Sequence, residues 1–578
     1  MSEIASESIP AVPASDEYYD LGNFSRKITT ASPDAQIWFN RGLTWAYSFN
    51  HAEAAYCFEQ ATIHDPSCAM AQWGLSFALG PSYNKPWEKF DPDDLKKSVY
   101  RSYHASRKAN ELATHSTPIE RALIDAIQFR YQTDHTRTDL KGQNKAYVRA
   151  MELVYHESKD DVGTNDLDVA ALYADSLMNL TPWSLWNLFT GKPNPLARTM
   201  DVKQVLETTF TQPGAIKHPG LLHLYIHYIE MSPTPEIGIA IADNLRDLVP
   251  DAGHMRHMPT HLDILVGDWQ RSIASNHVAT IADEKFFHRA GAFNFYTFYR
   301  MHNYHSLISS AMFAGQLNTA LDAVTRMEAT LPEEVLRIQS PPMADWLENF
   351  LTSRIHVMIR FGQWSDLITM DLPADKELYS VVTATAHYAK GVAFSATGQI
   401  PEAEAARNEF RKALDKVPES RIAYNSTCVQ VLTVASKMLD GEIEYRRAEY
   451  ESAFSSLSKA VALDDKLPYS EPWAWMQPTR HAYAALLLER GLVEDALAVY
   501  KADLGIDDTL IRAARHPNNV WALQGFYECL VRLGRVDEAG AVEPTVRLAL
   551  DRASVTIKSS CFCRLDTSLA PDFTSCCD

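Results

Sequence analysis

Residues 37–66 read IWFNRGLTWAYSFNHAEAAYCFEQATIHDP, and this stretch decides the fold class. Bulky aromatic residues and small residues recur in it at Trp38, Gly42, Trp45, Ala54, Phe58 and Ala61. Small residues let two helices approach closely, and bulky residues fill the gaps between them. Residues 51–60 are predicted to form the second helix of the pair. That helix should end near Pro66, because the residue before a proline disfavours the helical conformation.

The positions of these residues, with Pro66 as the last, match the spacing of a tetratricopeptide repeat. Later in the chain, a glycine followed five residues on by a small or apolar residue repeats the turn signal. It occurs at Gly267, Gly315, Gly362, Gly398, Gly491 and Gly534, with a degenerate copy around Ala448. The intervals are uneven, and no stretch alternates as a strand does. We predict an all-α fold, a tetratricopeptide-like helical-hairpin solenoid with degenerate, lengthened repeats.

The chain divides into five predicted segments. Residues 1–18 lack helical periodicity, so we expect a disordered leader. Residues 19–135 are predicted to be an N-terminal repeat unit with its following helices. Residues 136–310 form a central His-rich helical region, and residues 311–552 form the C-terminal repeats. Residues 553–578 are a Cys-containing tail.

The formal net charge of the 578-residue chain is −19. Non-specific nucleic-acid binding and docking on anionic lipid both need an excess of Lys and Arg, so this charge argues against both partners. No run approaches the roughly 18 uninterrupted apolar residues of a spanning helix. Residues 1–8 are acidic and lack the apolar region of a signal peptide. We therefore expect a cytoplasmic protein without nucleic-acid or membrane partners.

Two histidine-rich segments lie in the central region. Residues 218–230 read HPGLLHLYIHYIE, and residues 251–261 read DAGHMRHMPTH. On a helix, His223, His227 and Glu230 sit at positions i, i+4 and i+7, so they project from one face. Buried imidazoles are costly to desolvate without a partner, and a bound metal ion would use them all.

Further histidines follow the same helical spacing. The second segment places three at positions i, i+3 and i+7, and a later pair is spaced i, i+3. These residues are His254, His257, His261, His302 and His305. Any one of them alone is more often a satisfied core histidine, but their clustering favours a metal site. We predict all five, together with His223 and His227, as metal ligands.

Several strings resemble a family of large tetratricopeptide-repeat proteins that carry HPGxxHxxxHxxE and GHxxHxPxH segments. The similar strings lie at residues 49–54, 65–74, 80–81, 218–230, 253–261 and 471–480. The resemblance covers about residues 36–545, and the histidine segments are its most specific part. It implies an all-helical solenoid and assigns no activity, so the role of the histidines is argued from chemistry.

The donor set leaves the metal open among a few ions. Imidazole ligands suit copper, zinc, iron and nickel. The histidines exceed what one tetrahedral zinc needs, so either two metals or one metal with a His-rich outer shell would account for them. The spacing resembles the paired-His pattern of zinc hydrolases but lacks a Glu directly after the first His. We expect a transition metal, with copper favoured and iron or zinc as alternatives.

The leading hypothesis is a metal-dependent oxidoreductase that acts on a small organic molecule in specialised metabolism. Glu230 is a candidate acid or base, or a residue that supports the metal ligands without binding the ion. Asp175 is another, because it lies in an otherwise apolar helix, where a carboxylate normally needs a partner. One alternative is an adaptor that binds a protein partner through its repeat surface. Another is a zinc-dependent hydrolase or hydratase.

The tail holds four of the eight cysteines, at Cys561, Cys563, Cys576 and Cys577. Since the tail lacks repeat-spaced apolar residues, we expect it to be disordered and its removal to leave the fold intact. Grouped thiolates favour soft ions such as Cu(I) or Zn. Delivery of copper to the histidine site and a redox-sensitive disulfide both remain open roles.

Overall fold

The computed structural model of the protein describes residues 10–136, 139–158 and 165–571. In chain order its helices are α1 Pro33–Tyr47, α2 His51–His64, α3 Ala69–Ala78, α4 Pro92–Leu112, α5 Pro118–Ile127, α6 Leu140–Glu157, α7 Leu167–Met178, α8 Thr199–Phe210, α9 Pro219–Ile229, α10 Ile239–Ala242, α11 Gly253–His257, α12 Thr260–Val266, α13 Trp269–Ala290, α14 Tyr296–Phe313, α15 Leu317–Ala329, α16 Glu333–Leu336, α17 Met343–Leu347, α18 Ser353–Arg360, α19 Trp364–Thr369, α20 Ser380–Ala396, α21 Ile400–Leu414, α22 Cys428–Arg446, α23 Tyr450–Asp464, α24 Thr479–Glu489, α25 Val493–Leu504, α26 Val520–Arg532 and α27 Val536–Arg552.

Sheet structure in the described residues is confined to two short antiparallel pairs. They are β1 Trp186–Asn187 with β2 Lys192–Pro193, and β3 Ile422–Ala423 with β4 Ser426–Thr427. Consecutive helices pack against each other as hairpins, most extensively α1 with α2, α20 with α21 and α22 with α23. The prediction of an all-α, tetratricopeptide-like helical-hairpin fold is confirmed. None of the described helices has the length and apolar character needed to cross a bilayer.

The first hairpin shows why these residues pair. The amide oxygen of Asn50 accepts from the backbone N–H of Glu53 and caps the start of α2. The ring of Phe58 lies so close to Gly42 of α1 and Gly74 of α3 that a Cβ at either glycine would overlap it. Glycine at these two positions therefore lets three helices pack around one aromatic ring.

The six glycines of the predicted turn signal all have a positive φ, which glycine adopts at little cost at the end of a helix. Ala448, the degenerate copy, also has a positive φ, of 61°. At Gly267 the need for glycine is twofold, because a Cβ would also lie 2.2 Å from the carbonyl oxygen of Pro517. The turn signal thus marks true helix ends.

Contacts along the chain group it into two compact units. Unit 1 comprises residues 1–262 and 281–296, and unit 2 comprises residues 263–280 and 297–578. The predicted central region, 136–310, is shared by the two. In unit 2 the core between α20, α21 and α22 is built from small and branched apolar residues such as Ala389, Ala403 and Leu439.

Both termini are more ordered than expected. In the leader, the backbone N–H of Val12 donates to Gln60 and its carbonyl accepts from the indole of Trp38. The prediction of a disordered leader is therefore wrong for residues 10–18, and residues 1–9 lie outside the described residues. These contacts join side chains to backbone, so they leave no periodic signal in the sequence.

The expected disorder of the tail is also wrong where the tail is described. Arg564 forms two 2.8 Å hydrogen bonds with the buried carboxylate of Glu528, and Ile557 packs against Gly315. Cys561 and Cys563 form a disulfide. The residues that fix the tail are either polar or single apolar side chains without repeat spacing, so no repeat pattern predicted their contacts. Cys576 and Cys577 lie outside the described residues.

Candidate metal centre

Helix α9 carries the first histidine segment into the interior of unit 1. His218 is its N-cap, and the Nδ1 atom of His218 accepts from the backbone N–H of Leu221 at 3.2 Å. Pro219 follows at the first helical position, where its missing N–H costs nothing. The Nε2 atom of His218 lies 3.0 Å from a carboxylate oxygen of Asp168. The partners of His218 thus account for it as a structural residue.

Three histidines converge deep in unit 1. His223 and His227 come from successive turns of α9, and His254 comes from α11. Each is at most 1% exposed, and a ring nitrogen from each lies within 4.8 Å of those of the other two. The one-faced spacing predicted for His223 and His227 is therefore realised, and the second segment contributes a third imidazole to the same place.

Hydrogen bonds fix which nitrogens of this three-histidine cluster carry lone pairs. The Nδ1 atom of His223 lies 2.6 Å from the carbonyl oxygen of Tyr47, so it must donate, and Nε2 is left with the lone pair. The Nδ1 atom of His227 lies 2.9 Å from Oε1 of Glu230, which assigns its Nε2 in the same way. Neither Nε2 atom has a hydrogen-bond partner among the described residues.

Glu230 bridges two imidazoles. Its Oε1 atom holds His227, and its Oε2 atom lies 2.5 Å from Nδ1 of His261. Burial raises the pKa of Glu230, and His261 opposes that rise. Carboxylates that accept from the outer nitrogen of a ligand histidine orient the ring and increase its basicity. Glu230, expected to be an acid, a base or a support for the ligands, lies where such a carboxylate would lie, and its role stays a prediction.

His257 extends the network from His261. The Nε2 atoms of these two residues lie 2.8 Å apart, and the Nδ1 atom of His257 lies 3.3 Å from the hydroxyl of Thr260. The pair is as buried as the three-histidine cluster. The structure thus brings five of the seven predicted ligands and Glu230 together in unit 1.

Burial keeps His223, His227 and His261 neutral at physiological pH. It lowers the pKa of His227 to about 3 and that of His261 to about 4. Burial, with the neighbouring His227, also holds the pKa of His223 well below its usual range. Metal ions bind neutral imidazole, so no proton has to leave the free Nε2 atoms before a metal could bind.

Aromatic side chains enclose the cluster, and no pattern in the sequence predicted them. The ring centroid of Phe49 lies 4.3 Å from that of His223, and the ring centroids of Tyr83 and Trp183 lie 5.0 and 5.6 Å from that of His227. Phe49 has a φ of 57°, a conformation that costs a bulky residue energy and often marks functional sites. Phe49 directly precedes Asn50, the N-cap of α2, and this position was the signal in the sequence that could have drawn attention to it.

The remaining predicted ligands lie in unit 2. The Nδ1 atoms of His302 and His305 lie 3.2 and 2.7 Å from the hydroxyl oxygen of Tyr424. Burial lowers the pKa of His305 to about 3. Tyr424 is far away in the sequence, so spacing alone could not have identified it. The metal-binding role of His302 and His305 stays a prediction.

Asp175 lies on α7 and is buried in unit 1. Burial raises its pKa to about 6, while the positive charge of Arg130 opposes that rise. Its surroundings are Arg130, Tyr131 and Tyr147, all of which respond to its charge or alter its pKa. An acid or base role for Asp175 stays a prediction.

The chemistry of the donors in unit 1 fits a transition metal. Two Nε2 lone pairs without partners and a third imidazole converge, and a carboxylate holds one ligand ring from behind. Imidazole nitrogens suit copper, zinc, iron and nickel, whereas calcium and magnesium prefer oxygen ligands. A purely structural network would be expected to pair both nitrogens of each buried ring.

No family model matches the chain, and no curated protein is similar to it in sequence. Among solved structures, the chain is similar to Naa15/Naa10 bound to HypK-THB, with 14% identity over 89% of this chain and 70% of that chain and a TM-score of 0.20. It is also similar to yeast Tom70, with 12% identity, 89% and 90% coverage and a TM-score of 0.25. The APC/C hetero-tetramer Cut9-Hcn1 gives 11% identity, 83% and 94% coverage and a TM-score of 0.23. Such scores transfer no function, and the fold assignment rests on the helices themselves.

Proposed function

We propose that the protein is a metal-dependent oxidoreductase that acts on a small organic molecule. One transition-metal ion would bind through His223, His227 and His254. The observation that supports this proposal is the convergence of three buried imidazoles, two of them with Nε2 atoms that have no hydrogen-bond partner among the described residues. An unpaired buried polar atom is costly, and a metal ion would remove that cost at both atoms.

Copper is the favoured ion because the convergent donors are all nitrogen. Non-haem iron sites commonly include a carboxylate ligand, but Glu230 here is hydrogen-bonded to His227 and His261 through its two oxygens. Zinc also accepts three histidines and would favour hydrolysis or hydration. Copper bound in such a site would supply one-electron and oxygen chemistry.

The surrounding residues have separate roles in this proposal. Glu230 holds the Nδ1 proton of His227, which directs its Nε2 lone pair into the cluster. Phe49, Tyr83 and Trp183 exclude water from the imidazoles. His257 and His261, predicted as ligands, would be either the outer shell or the ligands of a second ion.

Metal loading tests the proposal directly. Protein reconstituted separately with copper, iron and zinc should retain about one or two ions per chain by elemental analysis, and a copper(II) form should show nitrogen hyperfine coupling in its electron paramagnetic resonance spectrum. His223→Ala and His227→Ala should each greatly weaken binding, with non-additive effects in the double variant. The exposed His277 supplies a control, and His277→Ala should bind as the parent does. Retention of metal by the double variant would contradict the site.

A second candidate function is a repeat adaptor that binds a protein partner. The helical-hairpin construction favours it, since stacked helical repeats commonly form binding surfaces. Partner binding that persists in His227→Ala, together with no metal in the parent protein, would favour the adaptor over the metalloenzyme.

A further inference from the structure

A second polar cluster lies inside unit 1. It contains Arg130 from the segment after α5, Tyr147 from α6 and Asp175 from α7. Arg130 and Tyr147 are each 1% exposed, and Asp175 is 7% exposed. Side chains of this kind are seldom buried without partners, so the cluster needs a physical explanation.

Arg130 is the least satisfied member. One guanidinium nitrogen, Nη2, donates to the carbonyl oxygen of Pro81 at 2.9 Å. The other two, Nε and Nη1, have no hydrogen-bond partner in the described residues, and neither does the hydroxyl of Tyr147. A guanidinium is always charged and offers its donors in a planar fork that matches a carboxylate. Unused donors on a buried cation indicate a site for an anion.

Asp175 does not satisfy this cation. The charge of Arg130 lowers the pKa of Asp175, so the two groups lie within electrostatic reach of each other. Even so, no hydrogen bond joins them, because the one bond that Arg130 makes goes to Pro81. The carboxyl group of Asp175 balances the charge from a distance and leaves the donors of Arg130 available.

The cluster is linked to the three-histidine cluster through one short stretch of chain. Pro81 accepts from Arg130, and Tyr83, two residues later, places its ring centroid 5.0 Å from that of His227. Burial lowers the pKa of His51, which lies beside Phe49, and the charge of Arg130 lowers it further. A molecule anchored at Arg130 would therefore lie on the side of the histidines that residues 81–83 line.

We propose that Arg130 binds the carboxylate group of a small organic acid, with the hydroxyl of Tyr147 as a further donor. The anion site itself stands on Arg130 and its unused donors. That the acid is the substrate of the metal centre rests on the proposed function. Asp175 repels the bound carboxylate and so limits its affinity.

Anion binding to the metal-free protein tests the site. Sodium acetate is the probe, and its binding is followed by titration calorimetry and by the rise in melting temperature, against sodium chloride at equal ionic strength. The parent should bind acetate more tightly than chloride, since only acetate accepts the fork of the guanidinium. Arg130→Met should weaken acetate binding by more than about tenfold, because a charge-assisted hydrogen bond is lost. Arg121→Met, which changes an exposed arginine of the same unit, should bind as the parent does.

Asp175→Asn tests whether Arg130 binds an anion or serves only as a structural partner of Asp175. In an anion site, removing the negative charge of Asp175 should tighten acetate binding and let acetate restore any lost stability. In a structural pair, Asp175→Asn should destabilise the protein, acetate should have no effect, and adding Arg130→Met should recover stability. That outcome would overturn the proposal, and equal binding of chloride and acetate would overturn the carboxylate assignment. Because metal is absent throughout, failure here leaves the metal proposal untouched, and failure of metal loading leaves this test intact.

Discussion

Each unit buries one carboxylate between two histidines, and the two arrangements differ in what lies beyond the rings. In unit 1, Glu230 bridges the Nδ1 atoms of His227 and His261. In unit 2, Asp503 lies 2.9 Å from Nε2 of His481 and 2.8 Å from Nδ1 of His516. The local chemistry is the same, a carboxylate that accepts from two imidazoles.

The two arrangements differ at the ring nitrogen that faces away from the carboxylate. In unit 2 the outer Nδ1 atom of His481 accepts from Arg360 at 3.1 Å, and the amide of Asn519 donates to Asp503 at 3.0 Å. In unit 1 the outer Nε2 atom of His227 has no hydrogen-bond partner in the described part of the chain. A buried network with its polar atoms paired stabilises a fold, whereas one with an unpaired lone pair is a candidate ligand set.

The largest effect is expected at the unit 2 carboxylate. Asp503→Ala should cost about 3–5 kcal/mol of unfolding free energy, because it leaves His481, His516 and Asn519 without their shared acceptor. Denaturant unfolding with hydrogen exchange over α24 and α25 measures the loss. Added metal should not restore it. A loss below about 1 kcal/mol would show that this network is not what stabilises unit 2.

Acid should weaken the metal-free protein in both units. Burial lowers the pKa of His227 to about 3 and that of His481 to about 4, against about 6.5 in an unfolded chain. Between these values the unfolded chain binds protons that the folded one does not, so stability falls as the pH drops from about 6.5 to about 4. Melting temperatures across that range measure the slope.

The two buried carboxylates, Asp503 and Glu230, should change stability with opposite signs as the pH falls. Burial alone would raise the pKa of Asp503, but His481 and His516 hold it well below its usual range, so unit 2 loses further stability below about pH 4. Burial raises the pKa of Glu230, so protonation of Glu230 favours the folded state as the pH falls to about 4.3 and adds nothing further below it. Hydrogen exchange over α24 that shows no acid loss below pH 4 would contradict the contribution of Asp503.

The unit 1 carboxylate should act on metal affinity. Glu230→Gln should weaken metal binding by about 10–100-fold, because outer-shell partners of ligand histidines contribute that much. The affinity is measured by competition with a chelator of known strength. The matched control is Glu348→Gln, which alters a buried glutamate of unit 2 that accepts from the backbone of Val381. Equal effects of both changes would remove Glu230 from the metal site.

Much of the fold could be predicted because it depends on local rules. Glycine at a positive φ and small residues under an aromatic ring leave a signal in the sequence, so Gly398 and Gly491 marked helix ends correctly. The ordered leader and tail left none. Their contacts, such as the bond from the indole of Trp38 to the carbonyl of Val12, depend on a backbone group that every residue carries.

The site was predictable to the extent that it lies on one helix. The spacing of His223 and His227 follows from the helical period, and the structure places both in one cluster. Spacing placed Glu230 on the same face, but it did not reveal that the two oxygens of Glu230 lie against Nδ1 of His227 and Nδ1 of His261. Arg130 was not identified at all. What distinguishes it is that two of its buried nitrogens have no hydrogen-bond partner among the described residues, and sequence alone cannot show this.

The smallest effect is expected where the tail supports the unit 2 network. The buried hydroxyl of Ser560 donates to the carbonyl oxygen of His481 at 2.7 Å, and the hydroxyl of Tyr500 then donates to Ser560 at 2.6 Å. Ser560→Ala removes both bonds and leaves two buried groups short of a partner, so it should cost on the order of 1 kcal/mol. The exposed Ser568 gives the control, because among the described residues its hydroxyl bonds to nearby Asp566 alone, and Ser568→Ala should be neutral. If Ser560→Ala is also neutral, while deletion of residues 556–578 lowers the melting temperature, the tail stabilises unit 2 through Arg564 and Glu528 instead of through the network around Asp503.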